Sequence, residues 1–317
     1  IVVVIAAVLS GQGGFLEAIR KMAEIPSDLP VTMGQPGAFT SFFGPDPWNL
    51  FGVIILTSLG TWGLPQMIGK FYAIKDEKSI NTGTVISTLF ACVVAGGSYF
   101  LGGFGRLFDS SEIYDETGSV VFDSIVPHML SSLPDLLIGI VVVLVLSASM
   151  STLASLVLTS SSTLTLDFLK DNVMKNMSEK KQIRWMQFLV VFFIGLSVWI
   201  ALDPSTFIAQ LMGISWGALA GAFLAPFLYG LYWKRVTRAA VWASFITGVG
   251  ITVSNLFLHY IASPINAGAV AMIAGLVVVP FVSIVTPKPE AKMVEQIFAC
   301  YEETVTITKK RSLEAER

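Results

Sequence analysis

Residues 147–168 read SASMSTLASLVLTSSSTLTLDF, and half of the 22 are Ser or Thr. They continue the apolar run DLLIGIVVVLVL, so the hydroxyls load a segment otherwise built for burial. On a helix, Ala148, Ser151, Thr152, Ser155, Thr159 and Ser162 recur at i, i+3, i+4 and i+7 spacing and share one face. Two chemistries suit that face. Ser and Thr can bond back to the carbonyl one turn earlier, and small side chains let helices approach closely. The same face can instead hold a hard monovalent cation. Na+ favours oxygen ligands by the logic that governs Ca2+ and Mg2+. Its single charge can be met by neutral hydroxyls and backbone carbonyls. Ser151 and Thr152, with the carbonyl of Ala148, would supply about half a coordination shell. A second helix would supply the rest.

A second stretch, LTSLGTWGLPQMIGKF, carries Gly60, Gly63 and Pro65 in the middle of an apolar window. Proline has no N–H and clashes with the carbonyl four residues back, and glycine loosens the backbone around it. The trio predicts a broken helix. Within a membrane, irregular backbone survives only where protein or a wet cavity satisfies its polar groups. Broken helices of this kind form solute sites in many secondary transporters. A plain proline kink is the alternative. Thr57, Thr61, Trp62 and Gln66 are the side chains such a break would present to a solute.

These groups need long apolar helices to position them, and the composition supplies them. The 317-residue chain is 54% hydrophobic and only 13% charged, about half the charge of a soluble domain. Apolar windows fall at about 48–73, 81–105, 135–166, 185–202, 206–232, 239–261 and 264–286, seven full spans of an all-α polytopic membrane protein. Ile1 opens inside a further apolar run, IVVVIAAVLS, too short to span. It reads as the end of a helix begun before residue 1, and the chain as a fragment. A net charge of −2 gives no reason to expect a nucleic-acid partner. Cys92 and Cys300, far apart in expected depth, suggest no disulfide framework.

The loops alternate in charge. Lys70, Lys75 and Lys78 follow the first window. Lys170, Lys175, Lys180, Lys181 and Arg184 follow the third, and Lys234, Arg235 and Arg238 follow the fifth. The intervening loops are acidic, with Asp109, Glu112, Asp115, Glu116 and Asp123, or lack Lys and Arg. By the positive-inside rule the basic loops and the tail from Pro287 are cytoplasmic, and residues 11–47 form an outer loop. Val294, Ile297, Phe298 and Tyr301 share a helical face in that tail, as for a short surface helix.

Catalysis has little to stand on. No Walker A motif, nucleophile elbow or metal-ligand cluster occurs, and the ionisable groups Arg106, Asp135, Asp167, Arg184 and Asp203 sit at span ends. The chain is read as a non-enzyme whose partners are a small solute and the lipid bilayer.

The residues also resemble a known family. SASMSTLASLVLTSSSTLTLDFLK resembles the eighth core helix of the sodium/solute symporters, which include sodium/proline and sodium/glucose cotransporters. LGTWGLPQMIGKFYAIKDEKSI resembles their sixth core helix and the loop after it. GISWGALAGAFLAPFLYGLYWKRVTRAAVWAS resembles the tenth and the turn into the eleventh. The resemblance runs over 1–286 in the family's order. It implies the leucine-transporter-like fold of two inverted five-helix repeats, with the N-terminal repeat largely missing. On that map 1–10 ends core helix five, 11–47 is an outer loop, 48–232 is the second repeat, 233–286 holds two peripheral helices and 287–317 is a cytoplasmic tail.

The resemblance further implies Na+-coupled symport of a small organic solute by alternating access, in a cell membrane and most naturally a bacterial inner membrane. Its sodium ligands are the Ala148 carbonyl and the Ser151 and Thr152 hydroxyls, completed by the missing N-terminal helices. Ala154 stands where some members carry a further sodium-binding hydroxyl, so one sodium is expected. Ser155, Thr159 and Ser162 are then left to close packing. Sodium/proline members carry aromatic residues where this chain has Thr57 and Thr61, so the solute is expected to be an amino acid, carboxylate or sugar rather than proline specifically. Two rival readings are a symporter-like sensor module, against which the short tail argues, and a proton-coupled transporter relying on a carboxylate outside this chain.

Overall fold

A computed structural model describes residues 1–71, 74, 77–114, 120–202 and 208–301. Asp115, Glu116, Asp203 and the tail beyond residue 301 lie outside the described residues. The described chain is all-helical apart from one isolated bridge between Tyr114 and Val120. Six helices are long and apolar enough to cross a membrane. They are α5 (Glu77–Gly103), α7 (Asp135–Thr163), α8 (Glu179–Leu202), α9 (Ile208–Tyr232), α10 (Arg238–Leu258) and α11 (Pro264–Val285). Each matches one window read from the sequence. The remaining window, 48–73, is a broken pair, α3 (Pro47–Gly63) and α4 (Pro65–Phe71). The chain is a multi-pass membrane protein.

Of the shorter helices, those at Val2–Gly11 and Ala291–Phe298 fall where the sequence leads one to expect helix, whereas Phe15–Glu24 and Phe122–Ser131 are too short or too polar to register as spans. α1 (Val2–Gly11) and the amphipathic α2 (Phe15–Glu24) meet at a 62° bend. α2 buries Ala18 and Met22 against Phe104, while Arg106 pairs with Asp28 at 3.0 Å and lies over the Phe39 ring. α6 (Phe122–Ser131) precedes α7, and α12 (Ala291–Phe298) follows α11. α7 also runs further than the apolar window, through a π-helical stretch over Leu164–Val173.

The tightest packing joins α9, α10 and α11, with α3 laid against α9 and α11. Small residues make it possible. A Cβ on Gly217 would fall 2.5 Å from the Gly268 Cα, and one on Gly275 would fall 2.8 Å from the Gly221 carbonyl oxygen. In lipid, where burial of apolar surface drives little association between helices, such backbone proximity supplies the dispersion contacts that hold them. α3 uses Gly52, Leu56, Gly60 and Gly63 in the same way, all buried on one face.

Polar groups freed inside this bundle are answered from neighbouring helices. Pro280 cannot donate to the carbonyl of Leu276 four residues earlier. The Tyr229 hydroxyl of α9 donates to that oxygen at 3.0 Å. At the C-terminus of α11, Arg235 donates to the carbonyls of Ser283 (3.3 Å) and Ile284 (2.9 Å), which lack intrahelical partners. Thr237 caps α10 by accepting from the Ala240 N–H, and its hydroxyl meets that of Thr286 at 2.8 Å. The α9–α10 turn therefore doubles as the cap of α11.

Candidate functional site

The break in the α3–α4 pair falls on one residue. Gly63 is still helical, Leu64 is extended (φ −82°, ψ 117°), and α4 restarts at Pro65. Proline pushes its predecessor out of the helical region, so Pro65 acts on Leu64. Gly60 and Gly63 serve a different purpose. A Cβ on Gly63 would stand 2.7 Å from the Ala220 Cα, and one on Gly60 would stand 3.0 Å from the Trp216 ring. They let the end of α3 lie directly on α9. Leu64 itself is buried, and its carbonyl accepts from the Met67 N–H at 2.9 Å. The break comes after the 17 residues of α3, roughly 25 Å from its start at 1.5 Å per residue.

Beside the break lies a cleft of about 460 Å³, lined by Thr61, Trp62, Met67 and Ile68 with Phe227, Leu231 and Tyr232 of α9. It gathers two of the four side chains expected to meet a solute, Thr61 and Trp62. Thr57 and Gln66 do not line it; Thr57 is half-buried and donates to the carbonyl of Val53 at 2.8 Å. The wall is mostly apolar, and among the described residues no charged side chain lines it. Its α9 half went unread in the sequence, although the aromatic cluster in APFLYGLYWKR around Pro226 marks it. The cleft sits close to the Lys70 and Lys234 ends of its helices.

The hydroxyl helix presents a different picture. Ala148, Ser151 and Thr152 lie mid-way along α7, within a stretch, 142–156, exposed throughout. α7 packs chiefly on α8, while α3 packs on α9 and α11, so the two candidate groups sit on separate helix pairs. Ser151 Oγ donates to the Ala148 carbonyl at 2.9 Å. Two oxygens at that separation can both lie about 2.3–2.6 Å from one cation once the hydroxyl proton turns away. The Thr152 hydroxyl is exposed beside them.

The hydroxyls expected to serve packing are largely open in this chain. Ser155 and Thr159 are exposed and Ser162 half-buried. Thr159 bonds the Ser155 carbonyl, and Ser162 that of Thr159. The enclosed hydroxyls are Ser161 and Thr165, both 0% exposed and without a hydrogen-bond partner. They lie where α7 passes into its π-helical stretch and meets α8.

The sequence matches the model of the sodium:solute symporter family over residues 1–248. The chain belongs to this family. The family comprises transporters, not enzymes. A sodium/pantothenate symporter of Haemophilus influenzae is 27% identical over 285 residues, covering 86% of this chain and 56% of its own length. A sodium/proline symporter of the same organism is 26% identical over 211 residues, covering 61% of this chain and 40% of its own. The osmoregulated proline transporter OpuE of Bacillus subtilis is 26% identical over 253 residues, covering 77% and 49%. The chain thus spans about half the length of the curated relatives it matches. The hydroxyl helix and the broken pair both lie inside the region that matches the symporter model.

Proposed function

We propose that the full-length protein couples the inward flow of Na+ to uptake of a small organic solute by alternating access, and that this chain forms its second inverted repeat with two peripheral helices. The observation that carries the reading is the outward face of α7. Three oxygens of cation-binding type stand there on a helix whose 142–156 stretch is exposed, within a chain that covers about half of the relatives it matches. Helices from the remainder of the protein would cover that face and complete the shell around Na+. The α3–α4 break and its cleft, with Thr61 and Trp62, lie on the solute path toward the basic-loop side.

The positive-inside rule supports a cytoplasmic position for that side and for the C-terminal tail, in a cell membrane that we take to be a bacterial inner membrane. One positive charge moving inward releases about 2.3 kcal/mol per 100 mV of membrane potential, and the sodium gradient adds to it. Names among the relatives, pantothenate and proline, share a carboxylate on a partly apolar body. The mostly apolar cleft suits the apolar body of such a solute, and its carboxylate needs a polar partner from outside the cleft.

The test is solute uptake by the full-length protein in which Ser151 and Thr152 are both replaced by Ala. Removing even an outer supporting group at a metal site costs about 10–100-fold in affinity. Loss of two ligands should raise the half-saturating sodium concentration at least that far while the protein still reaches the membrane. Unaltered sodium dependence would remove the site. Uptake driven by a pH gradient without sodium would favour proton coupling.

A further inference from the structure

We propose that the groove between the α9–α10 turn and α12 binds an anionic phospholipid of the adjoining leaflet. The groove encloses about 700 Å³. Trp233, Val241, Met293 and Ile297 give it an apolar lining, and Lys234 and Arg238 stand in its wall together with the carboxylate of Glu290. A smaller groove of about 380 Å³ adjoins it, shares Trp233 and Lys234, and adds Lys288. Over residues 233–301 the chain carries five cations, Lys234, Arg235, Arg238, Lys288 and Lys292, against the carboxylates of Glu290 and Glu295.

The cations divide by task. Arg235 is committed to the end of α11 through the carbonyls of Ser283 and Ile284. Lys234 Nζ sits 5.5 Å from the centre of the Phe298 ring and so pins α12 to the turn. Arg238 and Lys288 are exposed and have no carboxylate within 4.0 Å among the described residues. Lys292 is equally exposed and without a carboxylate at that range, but it lines neither groove, so Arg238 and Lys288 are the cations placed for an outside anion.

The surroundings select a lipid over other anions. Trp242 on α10 and Ile284 and Val285 on α11 are 57%, 58% and 71% exposed, so the apolar band of both helices runs to the edge of the groove. Met293 and Ile297 of α12 are also exposed beside it. A soluble anion would leave this apolar lining uncovered, and a neutral lipid would leave the two cations unanswered. A phosphodiester at Arg238 and Lys288 with acyl chains along α10 and α11 uses both. Short amphipathic helices at an interface and basic clusters beside a membrane span bind anionic lipid on these grounds.

The test uses the full-length protein in phosphatidylcholine nanodiscs containing phosphatidylglycerol, with the acyl chains of one lipid or the other brominated. The readout is the tryptophan quenching that disappears in Trp233→Phe. Brominated phosphatidylglycerol should quench Trp233 beyond its share of the bilayer. Arg238→Gln with Lys288→Gln should lower that preference roughly 30-fold, about 5-fold for each cation. Lys288→Gln alone, in the linker before α12, should give the 5-fold step and guards against misfolding of the double variant. Retained phosphatidylglycerol counted by native mass spectrometry should follow the same order. Equal quenching by the two lipids, or a preference untouched by the substitutions, would overturn the proposal. So would loss of the preference in excess inorganic phosphate, which would make the ligand a soluble anion. Sodium-driven uptake is scored separately, so failure here and failure of the sodium site are distinguishable.

Discussion

Replacing Gly217 by Ala adds one methyl group to α9 at its crossing with α11. That methyl would stand 2.5 Å from the Gly268 Cα and 3.3 Å from Thr252 Oγ1. Non-bonded carbons rest at about 3.5–4.0 Å, so the two helices must part by about 1 Å. The obstructing atom is backbone and cannot rotate away. Overpacking costs typically about 1–3 kcal/mol, and a backbone contact belongs at the upper end. Alanine recovers about 1 kcal/mol of helix propensity over glycine. A net loss of about 2 kcal/mol, roughly 30-fold in the unfolding equilibrium, is expected. Gly230 provides the control in the same helix, since a Cβ there meets nothing within 4 Å. Gly230→Ala should leave stability unchanged or raise it by up to about 1 kcal/mol. The assay is reversible unfolding of the full-length protein in mixed detergent micelles, followed by tryptophan fluorescence, with Trp216 next to the perturbed residue. The difference between the two variants cancels propensity and isolates the clash. If Gly217→Ala proved no less stable than Gly230→Ala, the close crossing of α9 and α11 would be refuted.

Two further outcomes follow from the buried polar groups. Tyr229→Phe should cost about 1–3 kcal/mol because it strands the Leu276 carbonyl. In a Pro280→Ala background, where the helix regains its own N–H donor, most of that cost should vanish; a double-mutant cycle showing no coupling would sink the pairing. Ser161→Ala should be neutral or slightly stabilising in the same unfolding assay, since the hydroxyl is enclosed without a partner. A loss above about 1 kcal/mol would reveal a hydrogen bond at the α7–α8 contact.

Hydropathy and loop charge were enough to place the membrane helices, because a long apolar run has no other stable solution in lipid than a helix. Pro65 likewise announced an interruption, since its effect on the preceding residue is local chemistry. Local chemistry could not assign tasks within the glycine pattern. Gly60 and Gly63 read as loosening elements, yet they are the surfaces on which α3 meets α9. Periodicity grouped Ser155, Thr159 and Ser162 with the sodium ligands on one face of α7. The hydroxyls buried within this chain, Ser161 and Thr165, lie elsewhere on the helix, on a part of it that the wheel did not single out.

The amino-acid sequence by itself determined the helical membrane class, the broken α3–α4 span and the oxygen-rich face with Ala148, Ser151 and Thr152. These depend on residue type and spacing along one chain segment. Only the tertiary structure decided that Thr61 and Trp62, but not Thr57 or Gln66, share a cleft with Phe227 and Tyr232. It alone showed that Tyr229 answers the carbonyl freed by Pro280, and that Arg235 caps α11 while Arg238 stays open. Those pairings join residues about 50 to 170 positions apart, and a contact of that kind is fixed by how helices cross, which no local pattern encodes.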